Sequence, residues 1–184
     1  MFEKILSQIG VSLNKHNLPY MVVGGQAVLF YGEPRLTRDI DITLGVDVNH
    51  FRDVLAVVQE LNLKPLPKEI ESFVRQTMVL PALDEHTGIR VDFIFSYTPY
   101  ETGAIKRAKK VKIIGQEVNL ASPEDLIIHK IFAGRPRDIE DVRTVLLKNP
   151  DVDIQYIREW LKEFDESSEE KGLLKAFEGI MKDP

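Results

Sequence analysis

Apolar residues fall at helical spacing at the start of the chain, where Phe2, Ile5, Leu6, Ile9 and Leu13 form one stripe. The spacing predicts a helix over 2–16, stopped by Asn17-Leu18-Pro19. A short β-rich run, Tyr20-Met21-Val22-Val23, then ends abruptly in Gly24-Gly25. Gln26 to Tyr31 can form two helical turns, closed by Gly32 and Pro34. Residues 39–44, DIDITL, alternate strictly, as a half-buried strand does. Helical spacing returns over 49–62 with Phe51, Val54, Leu55, Val58 and Leu61. Residues 73–80 and 89–95 read as strands joined by the polar loop DEHTG. A helix is expected over 100–109, followed by two short strands, VKII and EVNL, around a turn at Gly115.

Beyond Leu120 the pattern changes. Ser122-Pro123-Glu124-Asp125 combines a capping side chain, proline at the first helical position and acids in the first turn. Helical segments continue from there, broken at Gly134-Arg135-Pro136, at Asn149-Pro150 and over 165–168. Residues 1–120 are therefore expected to form a sheet-containing domain. Residues 121–184 are expected to form a helical appendage packed on it, because their broad apolar faces need a partner surface.

Composition narrows the class. Hydrophobic residues make up 43% of the 184 positions and charged residues 29%, which excludes a wholly disordered or a fibrous chain. No apolar run approaches the ~18 residues of a membrane span, and Glu3 interrupts the N-terminal apolar stretch, so no membrane partner and a cytoplasmic location are expected. Cysteine is absent, which removes disulfides, thiolate metal sites and a cysteine nucleophile. The net charge of −5 argues against a protein that coats DNA generally. Local charge says more: KRAKKVK, residues 106–112, is a solvated face or a contact to a nucleic-acid backbone. The acidic run EFDESSEE reads as a helix start, with Ser167 or Ser168 as cap ahead of Glu170 and Lys171.

The chemistry concentrates in residues 22–44, VVGGQAVLFYGEPRLTRDIDITL. A strand runs into Gly24-Gly25 and a helix, which lets backbone approach a ligand and presents unpaired N–H groups to a phosphate. Asp39 and Asp41 stand two apart on a strand and so share one face, away from Ile40 and Ile42. Two like charges side by side need a cation or donors to offset them, and Mg²⁺, held by few carboxylates and substrate phosphates, is the natural counter-ion. Arg35, Thr37 and Arg38 lead into the pair as phosphate donors. The plain alternatives are a tight glycine turn and a hydrophilic strand with a structural Arg38 ion pair.

Further on, residues 90–95, RVDFIF, place Asp92 on one strand face with Arg90 and Ile94. Asp92 either pairs with Arg90 or, if its strand neighbours Asp39 and Asp41, completes a three-carboxylate phosphoryl-transfer site. Lys130 on the helix after Ser122 is either solvated or functional, and His129 beside it reads as packed or exposed. Arg135, Arg137, Asp138, Asp141 and Arg143 suggest an inter-helix salt-bridge network. Neither GxxxxGK[ST] nor HExxH occurs.

Gly-Gly, a short helix, Arg-x-Thr-x-Asp-x-Asp and a later Asp on a strand together resemble the nucleotidyltransferase superfamily of the DNA polymerase beta type. Residues 122–142, SPEDLIIHKIFAGRPRDIEDV, are similar to the helical motif of its branch of AbiEii-like toxins and uncharacterised prokaryotic relatives. The resemblance runs from about Tyr20 to Val145. It implies an α+β fold, a mixed β-sheet flanked by helices. It also implies Mg²⁺ on Asp39, Asp41 and Asp92, nucleotide binding by Gly24, Gly25, Arg38 and Lys130, and transfer of a nucleoside monophosphate from an NTP to a hydroxyl. Asp138 matches the helical motif beside Lys130. Gly25 stands where a serine often contacts the nucleotide phosphate, so backbone N–H groups or a neighbouring residue must make that contact instead. RNA or protein is the expected acceptor, with an antitoxin partner if the chain is the toxin of a pair. The rivals are a binding or assembly module that keeps the fold without catalysis and, less favoured, a glycosyltransferase using its Asp-x-Asp on a nucleotide sugar.

Overall fold

The computed structural model describes residues 1–167 and 172–182. It divides into two compact units: Met1–Gln26 with Leu36–Ala121, and Ala27–Arg35 with Ser122–Pro184. The second unit thus takes nine residues from the middle of the sheet-forming region, and the chain crosses from one unit to the other within a single helix.

The first unit is built on a seven-stranded mixed sheet. Its strands are β1 (Tyr20–Val23), β2 (Asp39–Leu44), β3 (Lys64–Pro65), β4 (Val79–Asp84), β5 (Ile89–Phe95), β6 (Lys109–Ile113) and β7 (Gln116–Leu120), in the order β3-β4-β5-β2-β1-β7-β6. β1 runs antiparallel to β2, while β2 and β5 are parallel. A parallel neighbour needs a long crossover, supplied here by α3 (Phe51–Glu60), α4 (Ile70–Thr77) and the β4 strand. The fold is α+β, a mixed sheet with helices, as expected. α1 (Phe2–Lys15) packs its apolar stripe on β6 and β7 and also meets α3. Ile40, Ile42 and Leu44 of β2 and Val91 and Phe93 of β5 are fully buried on one sheet face, which leaves Asp39, Asp41 and Asp92 on the other.

One stretch departs from its predicted form. The pattern predicts a strand from residue 73, but residues 73–77 complete α4. Phe73, Val74 and Thr77 are β-formers by propensity; the helix instead gains the Glu71–Arg75 pair at i, i+4 and buries Val74. Met78 ends it in the left-handed region at φ 58°, and the strand starts at Val79. The helix expected over 100–109 is α5 (Pro99–Arg107), so the basic run divides: Lys106 and Arg107 close α5, while Lys109, Lys110 and Lys112 lie exposed on the edge strand β6.

The second unit holds the end of α2 (Gly24–Tyr31), then α6 (Pro123–Ala133), α7 (Pro136–Lys148), α8 (Ile154–Ser167) and α9 (Leu173–Lys182). Its core gathers Leu126, Ile127, Val142, Ile157, Leu161 and Phe177. The Ser122 hydroxyl caps α6 by accepting from the Asp125 N–H at 3.1 Å. Asp165 performs this service for α9, accepting from the N–H groups of Leu173 and Leu174. Of the two caps expected ahead of Glu170 and Lys171, Ser167 instead ends α8, so residues 163–167 close one helix rather than open the next, and Ser168, Glu170 and Lys171 lie outside the described residues.

Candidate active site

Strand register assembles the site. Along β2 and β5 Asp41 stands directly beside Asp92 and Asp39 beside Arg90. On the other side of β2, Asp41 faces Val23, the last residue of β1, after which the chain turns at Gly24 into α2. The carboxylates therefore stand in one row with the strand-to-helix turn. Gly24 is required there twice over. Its φ of +64° lies in the left-handed region, and a Cβ at this position would come within 2.0 Å of Asp41 Oδ2. The acid and the glycine fit one another: the carboxylate lies where a side chain would be.

Asp39 and Asp92 are positioned by neighbours in the same unit. Thr37 Oγ1 donates to Asp39 Oδ1 at 3.1 Å, and Gln26 Nε2 donates to the Asp39 carbonyl at 3.4 Å. Arg90 Nε donates to Asp92 Oδ1 at 2.7 Å. That hydrogen bond raises the Arg90 guanidinium above its ordinary range; burial opposes it, and the charges of Asp92, Asp39 and Asp41 reinforce it. Arg90 thus feels all three acids. Asp92 is only 16% exposed at its side chain and Arg90 51%, so the pair sits at the rim of the site with the cation outward. Among the described residues no three acids or histidines are drawn together as a ready-made metal cage.

The structure brings Gly24, Gly25, Asp39, Asp41 and Asp92 together in the first unit, while Lys130 belongs to the second. There Lys130 is buried, not solvated. Its Nζ lies 2.7 Å from Asp138 Oδ1 and 2.8 Å from Asp141 Oδ2, linking α6 to α7. Arg35 forms a two-pronged pair with Asp141, and Arg135 Nε donates to Asp138 Oδ2 at 2.6 Å. Burial pushes the Asp138 carboxyl up, but the hydrogen bonds from Arg135 and Lys130 prevail and hold it below the usual carboxylate range. Of the three expected phosphate donors, Arg35 serves this network, Thr37 serves Asp39, and Arg38 is exposed. Gln26 is a site residue that the sequence pattern does not single out; its one signal is its place directly after the glycine pair.

A family model described as "Nucleotidyltransferase of unknown function (DUF6036)" matches residues 2–180. The chain belongs to this family. Membership makes it an enzyme of the nucleotidyltransferase class, as the resemblance implied, without singling out the AbiEii-like branch. Solved structures agree on the fold of this nucleotidyltransferase. The solution structure of the antibiotic-resistance factor ANT(2'')-Ia aligns over 98% of this chain and 93% of its own, at 16% identity and a TM-score of 0.58. An antigenic nucleotidyltransferase-like protein from Paracoccidioides brasiliensis aligns over 95% of this chain and 92% of its own, at 18% identity and a TM-score of 0.56. The lincomycin-bound lincosamide antibiotic adenylyltransferase LnuA covers 77% of this chain and 94% of its own, at 16% identity and a TM-score of 0.54. At such identities the likeness is one of fold. No curated protein sequence matches the chain, and among the described residues no helix is long and apolar enough to cross a membrane.

Proposed function

We propose that this nucleotidyltransferase moves a nucleoside monophosphate from an NTP to a hydroxyl acceptor at the Asp39–Asp41–Asp92 face. The observation that carries the reading is the β2–β5 register, which sets Asp92 beside Asp41 at the Gly24 turn. The donor set fits Mg²⁺: hard carboxylate oxygens on adjacent strands, with negative charge in excess over Arg90. Asp39 and Asp41 would hold the metal together with Asp92. Bound there, Mg²⁺ would neutralise phosphate charge and bring the triphosphate against the acids. The N–H groups of the first turn of α2, at Gly24 and Gly25, face the phosphates, and the exposed Arg38 guanidinium adds charge. Asp92 accepts the proton of the acceptor hydroxyl. The freed oxygen bonds to the α-phosphorus as the bond to the β-phosphate oxygen breaks, and pyrophosphate leaves. RNA, protein and small hydroxylated molecules are the acceptors to be compared; the lincomycin complex of LnuA gives the last class its place.

Incubation with Mg²⁺, each α-labelled NTP and each acceptor class tests the reading. It predicts label transfer with pyrophosphate release, and a thermal shift with NTP and Mg²⁺ together that exceeds the sum of the two alone. Merely additive shifts and no transfer with any acceptor would contradict it.

A further inference from the structure

The position of Arg90 has a meaning beyond pairing one acid. Asp39, Asp41 and Asp92 share one face of two adjacent strands, and Arg90 shares that face too, beside Asp39 and two residues before Asp92. Its Nε holds Asp92 Oδ1 at 2.7 Å, and the three carboxylates all act on its charge. Like charges this close would repel without a cation among them. Half of the Arg90 side chain faces solvent, so the guanidinium can leave toward water with little repacking.

We propose that Arg90 is an internal counter-ion which holds Asp92 until a divalent cation takes its place, so that Arg90 sets the metal affinity of the site. The proposal rests on the metal-dependent reading above and deepens it: Arg90 is a positioning residue acting through Asp92. A metal ion entering on Asp39 and Asp41 meets a fixed positive charge and must take an oxygen of Asp92 from a short, charge-assisted hydrogen bond. Both effects oppose binding. A weakened site of this kind favours a cation that arrives with phosphates over the bare ion, because the nucleotide's negative charge offsets Arg90.

Removing the guanidinium should therefore strengthen metal binding while weakening the metal-free protein, a pair of opposite effects that a purely structural arginine would not give. Titration calorimetry with Mn²⁺ alone, without nucleotide, on wild type, Arg90→Met, Arg90→Lys and Asp41→Asn measures the first. Metal-free melting temperature measures the second. Arg90→Met should bind Mn²⁺ on the order of tenfold more tightly and melt roughly 2–4 °C lower without metal. Arg90→Lys, which keeps the charge but loses the guanidinium fork, should fall between Arg90→Met and wild type. Equal or weaker Mn²⁺ binding by Arg90→Met, with wild-type binding that Asp41→Asn abolishes, would overturn the counter-ion role and leave the metal site standing. If Arg90→Met does not fold, Arg90→Lys decides, and affinity no tighter than wild type overturns the role. Absence of Mn²⁺ binding in every form, with or without NTP, would overturn the metal reading itself.

Discussion

Asp138 and Asp141 lie buried among Lys130, Arg35 and Arg135, whereas Asp39, Asp41 and Asp92 stand partly buried around Arg90. The residue types are the same. What differs is burial. In the helical unit cations meet both acids at 2.6–3.0 Å, which is what a buried carboxylate needs to stay ionised. In the sheet unit all three acids act on the rim-exposed Arg90, and Asp41 is pressed against the backbone of Gly24. Buried, ion-paired charge fixes two helices together; partly exposed acids gathered at a strand-to-helix turn are set for a ligand.

The contrast between the two clusters breaks most sharply at Lys130. Lys130→Met leaves two buried carboxylates short of a cation and should cost about 3 kcal/mol in urea unfolding. Asp41→Asn on the sheet, measured in the same way without ligand, should be neutral or slightly stabilising, since it removes one member of a like-charge set. Loss of stability at Asp41 equal to that at Lys130 would make the two clusters alike.

The same contrast has a pH signature. Burial pulls the His129 imidazole down to about 4 from its ordinary 6.5, so the fold favours the neutral ring. The folded value lies below the unfolded one; its contribution is complete above about pH 6.5 and is lost as pH falls toward 4. Stability of the helical unit should decline across that window by up to about 3 kcal/mol. His129→Gln should flatten the decline, and an unchanged acid limb in that variant would show that His129 does not drive it.

At the turn itself, Gly24→Ala adds a Cβ at φ +64° and forces Asp41 aside. A cost of about 1–2 kcal/mol is expected from the backbone alone, with nucleotide binding reduced further than melting temperature suggests. Smallest is the effect of the β6 edge. Ala at both Lys109 and Lys110 should leave NTP binding intact and, if the acceptor is RNA, weaken RNA binding with a shallower salt slope. Loss of NTP binding would move the basic strand into the nucleotide site.

Much of the sheet is legible in the sequence because strands with one buried face alternate strictly. The alternation of DIDITL and RVDFIF alone places Asp39, Asp41 and Asp92 on the polar strand faces. The pairing of β2 with β5 is not legible, since register between strands fifty residues apart depends on the crossover between them. It is the one condition on which the carboxylate cluster hangs. Residues 73–77 mislead because their β-branched and aromatic side chains suggest a strand, while the fold gains a buried Val74 and an i, i+4 ion pair from a helix. The burial of Lys130 is hidden for a different reason: its cover comes from α7, which the pattern of α6 cannot show.

The central claim is that the sheet acids divide their work, and one experiment reaches it: Mg²⁺-NTP affinity and transfer rate for Asp39→Asn, Asp41→Asn and Asp92→Asn, alongside metal-free melting temperature. Asp39→Asn and Asp41→Asn should lose metal-dependent NTP binding and transfer together. Asp92→Asn should still bind NTP, because Asp39 and Asp41 keep the metal that carries it and Asp92 serves mainly the acceptor hydroxyl, while transfer falls by at least the ~10²–10⁴-fold that a positioned proton acceptor contributes. An Asp41→Asn protein that unfolds, together with an Asp92→Asn protein of undiminished activity, would show these acids to be structural and contradict the account.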